Sequence, residues 1–244
     1  MIGFRPDWPA PLNVLALSTS RCGGQSQGVF AGLNLGLHVG DLTSTVEANR
    51  QHVKSALPAG ATIQWLDQVH GTEVITEHAP GSLPQADASV ASGINQFCAV
   101  MTADCLPVLF CDRHGTKVAA AHAGWRGLVN GVLERTLEQF GSEPGAIMAW
   151  LGPAIGPSAF EVGSEVRAAF VAKDPNAASA FVPHGERYLA DLYQLARLCL
   201  RARGLTAIYG GEWCTYSDPS RFYSYRRQGR TGRQASLIGI LPSA

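Results

Sequence analysis

The apolar positions of this chain fall into short runs separated by turn-forming residues, the pattern of many modest strands with a few helices between them. Asn13 to Thr19 reads as a strand, and further strands are predicted near residues 62–66, 72–77, 87–91 and 97–103. Leu106 to Cys111 and Thr116 to Ala121 are two more such runs, joined by Asp112-Arg113-His114-Gly115, whose residue types favour a turn. Together they read as a β-hairpin. A two-residue loop at Arg113-His114, or its symmetric four-residue version, would pair Asp112 with Gly115. Carried along the ladder, that register sets Cys105 directly opposite His122, with Cβ atoms about 4.5 to 5.5 Å apart. A three-residue loop would slip the register by one and turn the two to opposite faces. Pro107 fits a strand only where its missing donor faces an edge.

Helical signals are fewer. Ser44-Thr45-Val46-Glu47 is a capping box predicting a helix to about Leu57, where Pro58 ends it. Gly124-Trp125-Arg126-Gly127 leads into an amphipathic stretch from about Leu128 to Phe140, whose N-terminus suits an anion. Ile147 to Leu151 is a strand emptying into Gly152-Pro153-Ala154-Ile155-Gly156-Pro157, a rigid turn suited to a pocket wall. Helices are predicted near Ser164 to Ala172 and Leu189 to Arg203, the second closed by Gly204. These elements predict an α+β fold, mixed β-sheets flanked by helices, in a single domain over residues 1–244.

Composition narrows the function. With 244 residues, 46% hydrophobic and 16% charged, the chain is globular and large enough for a substantial core. Its 19 basic residues balance 19 acidic ones, so no global field draws it to nucleic acid or an anionic membrane, and a small-molecule partner is expected. The N-terminus lacks an apolar signal core and no later stretch has the roughly 20 apolar residues of a membrane helix, which predicts a cytoplasmic protein. The cysteines at 22, 98, 105, 111, 199 and 214 are therefore expected to be reduced, and the absence of a Cys-x-x-Cys pair argues against a redox dithiol or a zinc ribbon.

Candidate chemistry gathers in three segments. Gln68-Val69-His70-Gly71, Ala103-Asp104-Cys105-Leu106-Pro107 and His122-Ala123-Gly124 each place a metal-ligand type beside a small residue or a proline at the end of a strand-like run. Two imidazoles and a thiolate are the count expected of a catalytic zinc that keeps its fourth position open. Asp104 or Gln68 is placed to orient a histidine from behind. The same thiol and imidazole also describe a metal-free Cys105/His122 hydrolase or deamidase, and a zinc-binding module without catalysis is a third reading. Arginines are the candidates for anion recognition: Arg21 beside Gly23-Gly24, Arg126 at a helix start, and the C-terminal run of Arg221, Arg226, Arg227, Arg230 and Arg233, whose interleaved tyrosines and glycines fit a phosphate-binding loop as well as a solvated basic tail.

These motifs are recognisable in combination. Through Arg21-Cys22-Gly23-Gly24-Gln25-Ser26, Leu33-Asn34-Leu35-Gly36-Leu37-His38-Val39-Gly40-Asp41, the three ligand segments, Gly152 to Pro157 and Arg226 to Arg233, the chain resembles the YfiH/YlmD family over nearly its whole length. That family was historically labelled polyphenol oxidoreductase or laccase domain and is now understood as purine nucleoside phosphorylases. The resemblance implies a YfiH-like fold and a zinc held by His70, Cys105 and His122, with copper an in vitro substitute. It also implies phosphorolysis of adenosine, inosine and methylthioadenosine, with adenosine deamination as a second activity. Purine nucleoside and phosphate are then the expected partners, Arg21, Asn34, Arg126, Arg226, Arg227 and Arg230 the candidate substrate and phosphate contacts, and a monomer or weak homo-oligomer the expected state. Editing of cell-wall precursors, associated with relatives, is an alternative. The old oxidase label is a poor fit, because the seven histidines include no His-x-His pair. One departure is visible: Ala86-Asp87-Ala88 stands where the family usually has Ala-Asp-Gly.

Overall fold

The computed structural model describes residues 2–242. In chain order the elements are β1 (Gly3–Phe4), β2 (Val14–Thr19), α1 (Thr43–Ser55), β3 (Thr62–Gln64), β4 (Val74–Ile75), β5 (Ala88–Ala91), β6 (Gln96–Thr102), β7 (Leu106–Asp112), β8 (Val118–Ala123), α2 (Trp125–Asn130), α3 (Val132–Glu138) and β9 (Ile147–Leu151). They continue with β10 (Glu161–Val162), α4 (Ser164–Lys173), β11 (Phe181–His184), β12 (Arg187–Ala190), α5 (Leu192–Ala202), β13 (Ile208–Gly210), α6 (Tyr225–Gln228) and β14 (Gln234–Ile240). The strands form a five-stranded sheet of order β1-β2-β14-β6-β3, a six-stranded sheet of order β13-β9-β7-β8-β5-β4, and a small sheet β10-β12-β11. The two large sheets mix parallel and antiparallel pairs, as the α+β expectation requires.

Alternation along the strands explains how these sheets stack. In β7 and β8, Val108, Phe110, Ala119 and Ala121 face a core shared with Leu128 and Leu133 of α2 and α3 and with Leu195 and Leu200 of α5. Their neighbours Leu109, Cys111, Val118 and Ala120 face the other way, against Ala16, Cys98, Val100 and Ile238 of the first sheet. Phe97, Ala99 and Met101, the alternate residues of β6, pack with Val53 and Leu57 of α1 and its C-terminal end. The molecule is thus layered helix, sheet, sheet, helix, and β7 and β8 are buried on both faces. That is why they read as continuous apolar runs. Among the described residues no helix is long and apolar enough to cross a membrane.

Several boundaries differ from the sequence reading. The capping box does not form: α1 begins at Thr43 with no side-chain cap, so Ser44 lies inside the helix. The helix predicted from Leu128 starts at Trp125 and is broken at Gly131, whose φ of +99° fits glycine and ends α2 after six residues. Such a short helix has little dipole for the predicted anion site. Residues 187–190 are a strand rather than the start of a helix.

The hairpin register is also corrected. Asp112 donates its N–H to the Lys117 carbonyl (3.1 Å), and its carboxylate accepts from the N–H groups of His114 (3.1 Å) and Thr116 (2.8 Å). The loop is therefore Arg113 to Thr116, and the ladder pairs Pro107, not Cys105, with His122. A shift of two residues preserves the face, so Cys105 remains diagonal to His122 on the same side. Pro107 is accommodated because its carbonyl accepts from Gly152, which places its missing donor beyond the end of β9.

Candidate functional site

His122, near the end of β8, shares the alternation of Val118 and Ala120 and so points between the sheets. Cys105 immediately precedes β7, and His70 lies in the connection between β3 and β4. At the end of the sandwich the two imidazoles and the thiol converge, their donor atoms all within 4.8 Å of one another. Cys105 Sγ lies 3.6 Å from His70 Nε2, and the two imidazole rings meet edge to face with centroids 4.8 Å apart.

The donor set fits a zinc ion. Bonds of about 2.3 Å to sulfur and 2.05 Å to nitrogen at a tetrahedral angle separate the two atoms by about 3.6 Å. The remaining separations need a contraction of no more than about 1.5 Å to meet the same geometry. Burial pushes the Cys105 thiol up, but His122 and His70 outweigh it and bring it down to about 6. Burial opposes charge on His122 as well, yet Cys105 and Asp87 raise its pKa. A thiolate paired with a cation is what this site prefers, and a metal would replace the proton in that role.

Asp87, fully buried, is the organiser that the residue-by-residue reading missed. Its carboxylate accepts from His122 Nδ1 (2.7 Å) and from the N–H groups of Val69 (3.2 Å), His70 (3.0 Å) and Gly71 (2.6 Å). The Nδ1–H bond leaves the His122 Nε2 lone pair for a ligand. The three backbone bonds hold His70 at a φ of +60°. Burial alone would raise this carboxyl, but the bonds from His122 and the backbone hold it below the usual carboxylate range. Ala88, in place of the family's glycine, simply begins β5 and pairs with Ala121. Neither residue expected to orient a histidine does so. Gln68 bonds both backbone groups of Met101, and Asp104, at a φ of +97°, accepts from Thr215 Oγ1 (2.6 Å) and the Arg226 N–H (2.7 Å).

A pocket of about 380 Å³ opens over the donor atoms, with Trp125, Arg126, Ile155, Phe160, Arg226 and Arg233 in its walls. Of the candidate phosphate contacts, only Arg126 and Arg226 line it. Arg21 donates to the carbonyls of Pro219 and Ala31 and stacks on Tyr223. Arg227 donates to the carbonyls of Thr215, Tyr216 and Phe222, and Arg230 to Gly40. Asn34 is buried, donating to Asp41 and accepting from the Gly36 and Arg233 N–H groups. His38 and Arg233 also line the pocket; Arg233 belonged to the C-terminal arginine run but was not singled out as a contact, and His38 was not among the candidates. Both sit in the motifs that carried the family resemblance, which was the available signal.

Gly124 makes the convergence possible, because a Cβ there would lie 2.6 Å from His70 Cδ2 and 3.1 Å from Cys105 Sγ. Gly124→Ala is accordingly expected to fold but to bind zinc roughly tenfold more weakly, a displacement effect of the kind that supporting residues exert on metal sites. Competition titration against a chromophoric chelator measures it, and wild-type affinity would refute the steric argument.

Residues 15–241 match the family described as multi-copper polyphenol oxidoreductase laccase. The chain is 56% identical over 237 residues to a purine nucleoside phosphorylase of Pseudomonas aeruginosa, covering 96% of this chain and 97% of that one. It is 53% identical over 237 residues to purine nucleoside phosphorylase YfiH of Escherichia coli K12, covering 97% and 98% of the two chains. Among solved structures, a Neisseria meningitidis protein superposes with a TM-score of 0.96 at 51% identity, covering 99% of this chain and 100% of that one. YlmD from Geobacillus stearothermophilus gives 0.90 at 30% identity, covering 96% and 94%.

Proposed function

This chain belongs to the multi-copper polyphenol oxidoreductase laccase family, of which YfiH and YlmD are relatives, and from that premise we propose that it is a zinc-dependent purine nucleoside phosphorylase. Adenosine, inosine and methylthioadenosine are the proposed substrates, with hydrolytic deamination of adenosine as a second activity and the cytoplasm as its place of work. One observation carries the reading: a thiolate and two imidazoles converge beneath a pocket that also holds arginines and aromatic faces. The names of the close relatives point the same way. The interior shared by the two large sheets supports a single domain.

His70, Cys105 and His122 would hold the metal, with Asp87 fixing the proton on His122 Nδ1. When bound, zinc supplies a Lewis acid of net positive charge, because only one ligand is anionic. In phosphorolysis a phosphate oxygen forms a bond to the ribose C1′ as the bond from C1′ to the purine nitrogen breaks, and the departing base takes up a proton. The pocket serves this with what lines it. Trp125, Phe160 and Tyr225 bring aromatic rings into its walls for a flat base to pack against, and arginine guanidinium groups neutralise the phosphate.

The assay is phosphate-dependent release of purine base from adenosine. We expect about one zinc per chain, loss of turnover on chelation and its return with added zinc. The lowered pKa of Cys105 beside His122 favours one rival, a metal-free thiol hydrolase or deamidase. Active protein that lacks metal and is inactivated by alkylation at Cys105 would establish that rival instead.

A further inference from the structure

We propose that Arg233, with His38 beside it, is the seat of the inorganic phosphate cosubstrate, an assignment that rests on the phosphorylase reading above. Arg233 directly precedes β14 at the end of the sandwich where the donor atoms converge. Its backbone is fixed on both sides: the N–H donates to Asn34 Oδ1 (2.9 Å) and the carbonyl accepts from the Leu35 N–H (3.0 Å). Its stem lies against Gly36, where a Cβ would come within 2.8 Å of Arg233 Cγ. Nη1 donates to the carbonyls of Thr231 and Gly232, both at 3.0 Å, which sets the plane of the guanidinium.

The rest of that group is unused. Among the described residues Nε and Nη2 of Arg233 meet no acceptor, and no carboxylate pairs with the side chain. A half-buried cation held in one orientation without a counter-ion is costly unless an anion arrives. Burial indeed pulls its pKa down, with the nearby Cys105 and Asp104 opposing that pull. Two adjacent N–H donors on a fixed planar fork match two oxygens of a phosphate.

The other arginines do not offer this. Arg227 and Arg230 are bonded to backbone carbonyls away from the pocket. Arg126 and Arg226 line the pocket with donors to spare, but both are exposed, Arg126 stacked on the Trp125 ring and Arg226 giving Nη1 to the Glu161 carbonyl, so neither is a partly buried cation that calls for an anion. His38 lines the same pocket and makes no side-chain hydrogen bond among the described residues, so its ring N–H is available as a third donor. Partial burial and the Arg233 cation hold its imidazole below its ordinary pKa.

A phosphate carried on the ribose of a nucleotide would call on the same chemistry, so the test separates the two sources. Calorimetric binding of inorganic phosphate and of adenosine 5′-monophosphate to wild type, Arg233→Gln and His38→Gln needs no turnover, and it reads the seat even if the phosphorylase activity fails. We expect Arg233→Gln to weaken inorganic phosphate about tenfold to a hundredfold, the loss of charge-assisted bonds, and His38→Gln to weaken it several-fold. In the assay the KM for phosphate should rise by like factors while the KM for adenosine holds within about twofold. If Arg233→Gln fails to fold, His38→Gln decides by the same two readouts. Unchanged phosphate affinity in the folded variants overturns the proposal. So does loss of the nucleotide with inorganic phosphate retained.

Discussion

Cys105→Ala should emerge from purification with almost no zinc and release base from adenosine about a thousandfold more slowly than wild type, the scale on which losing a principal electrostatic stabiliser acts. The reason is charge as well as ligand count. Cys105 is the only anionic member of the donor set, and it lies 3.6 Å from His70 Nε2 in a site where His122 and His70 already favour its thiolate. Alanine leaves two imidazoles, one of them exposed, facing each other with nothing to offset a dication. Metal content by plasma emission spectroscopy and steady-state rates measure the two losses. Equal rates in variant and wild type would remove zinc from the reaction.

Asp87→Asn attacks the same centre from behind. The carboxylate serves four donors: His122 Nδ1 and the N–H groups of Val69, His70 and Gly71. An amide has one oxygen, so whichever way it turns, at least one donor faces an NH₂ group. The His122 tautomer is released, and the backbone that keeps His70 at positive φ loses its clamp. Zinc affinity is expected to fall about 10- to 100-fold, and unfolding stability by about 2 to 3 kcal/mol for the buried donors left unpaired. Chelator competition and urea titration give the two numbers separately. Wild-type zinc affinity with lowered stability would reduce Asp87 to a structural residue.

How far the sequence reaches can be judged from these residues. The strands at 97–103 and 147–151 and the hairpin were legible because burial on both faces leaves nearly unbroken apolar runs. β14 was not, since it follows an arginine- and glycine-rich stretch and buries Gln234 and Ser236 along with its apolar residues. The three convergent donors were legible from residue type and neighbours. Asp87 was not credited with its role, which exists only once β5 brings it against both β8 and the loop at 69–71. The arginines were the hardest case. Arg226, Arg227, Arg230 and Arg233 are chemically identical in the sequence, and only folding decides which give their donors to backbone carbonyls and which keep them free.

The placement of β14 ties the integrity of the sheet to that of the pocket. This late segment fills the middle of the first sheet, hydrogen-bonded to β2 on one side and β6 on the other, and the residues just before it carry Arg226 and Arg233 into the pocket. Until β14 is in place, β2 and β6 have a gap between them that no other described strand fills. A polypeptide cut before Tyr225 therefore keeps His70, Cys105, His122 and Arg126 but loses the strand that joins β2 to β6 together with Arg226 and Arg233, so one cleavage would disable the sheet and that wall of the pocket at once.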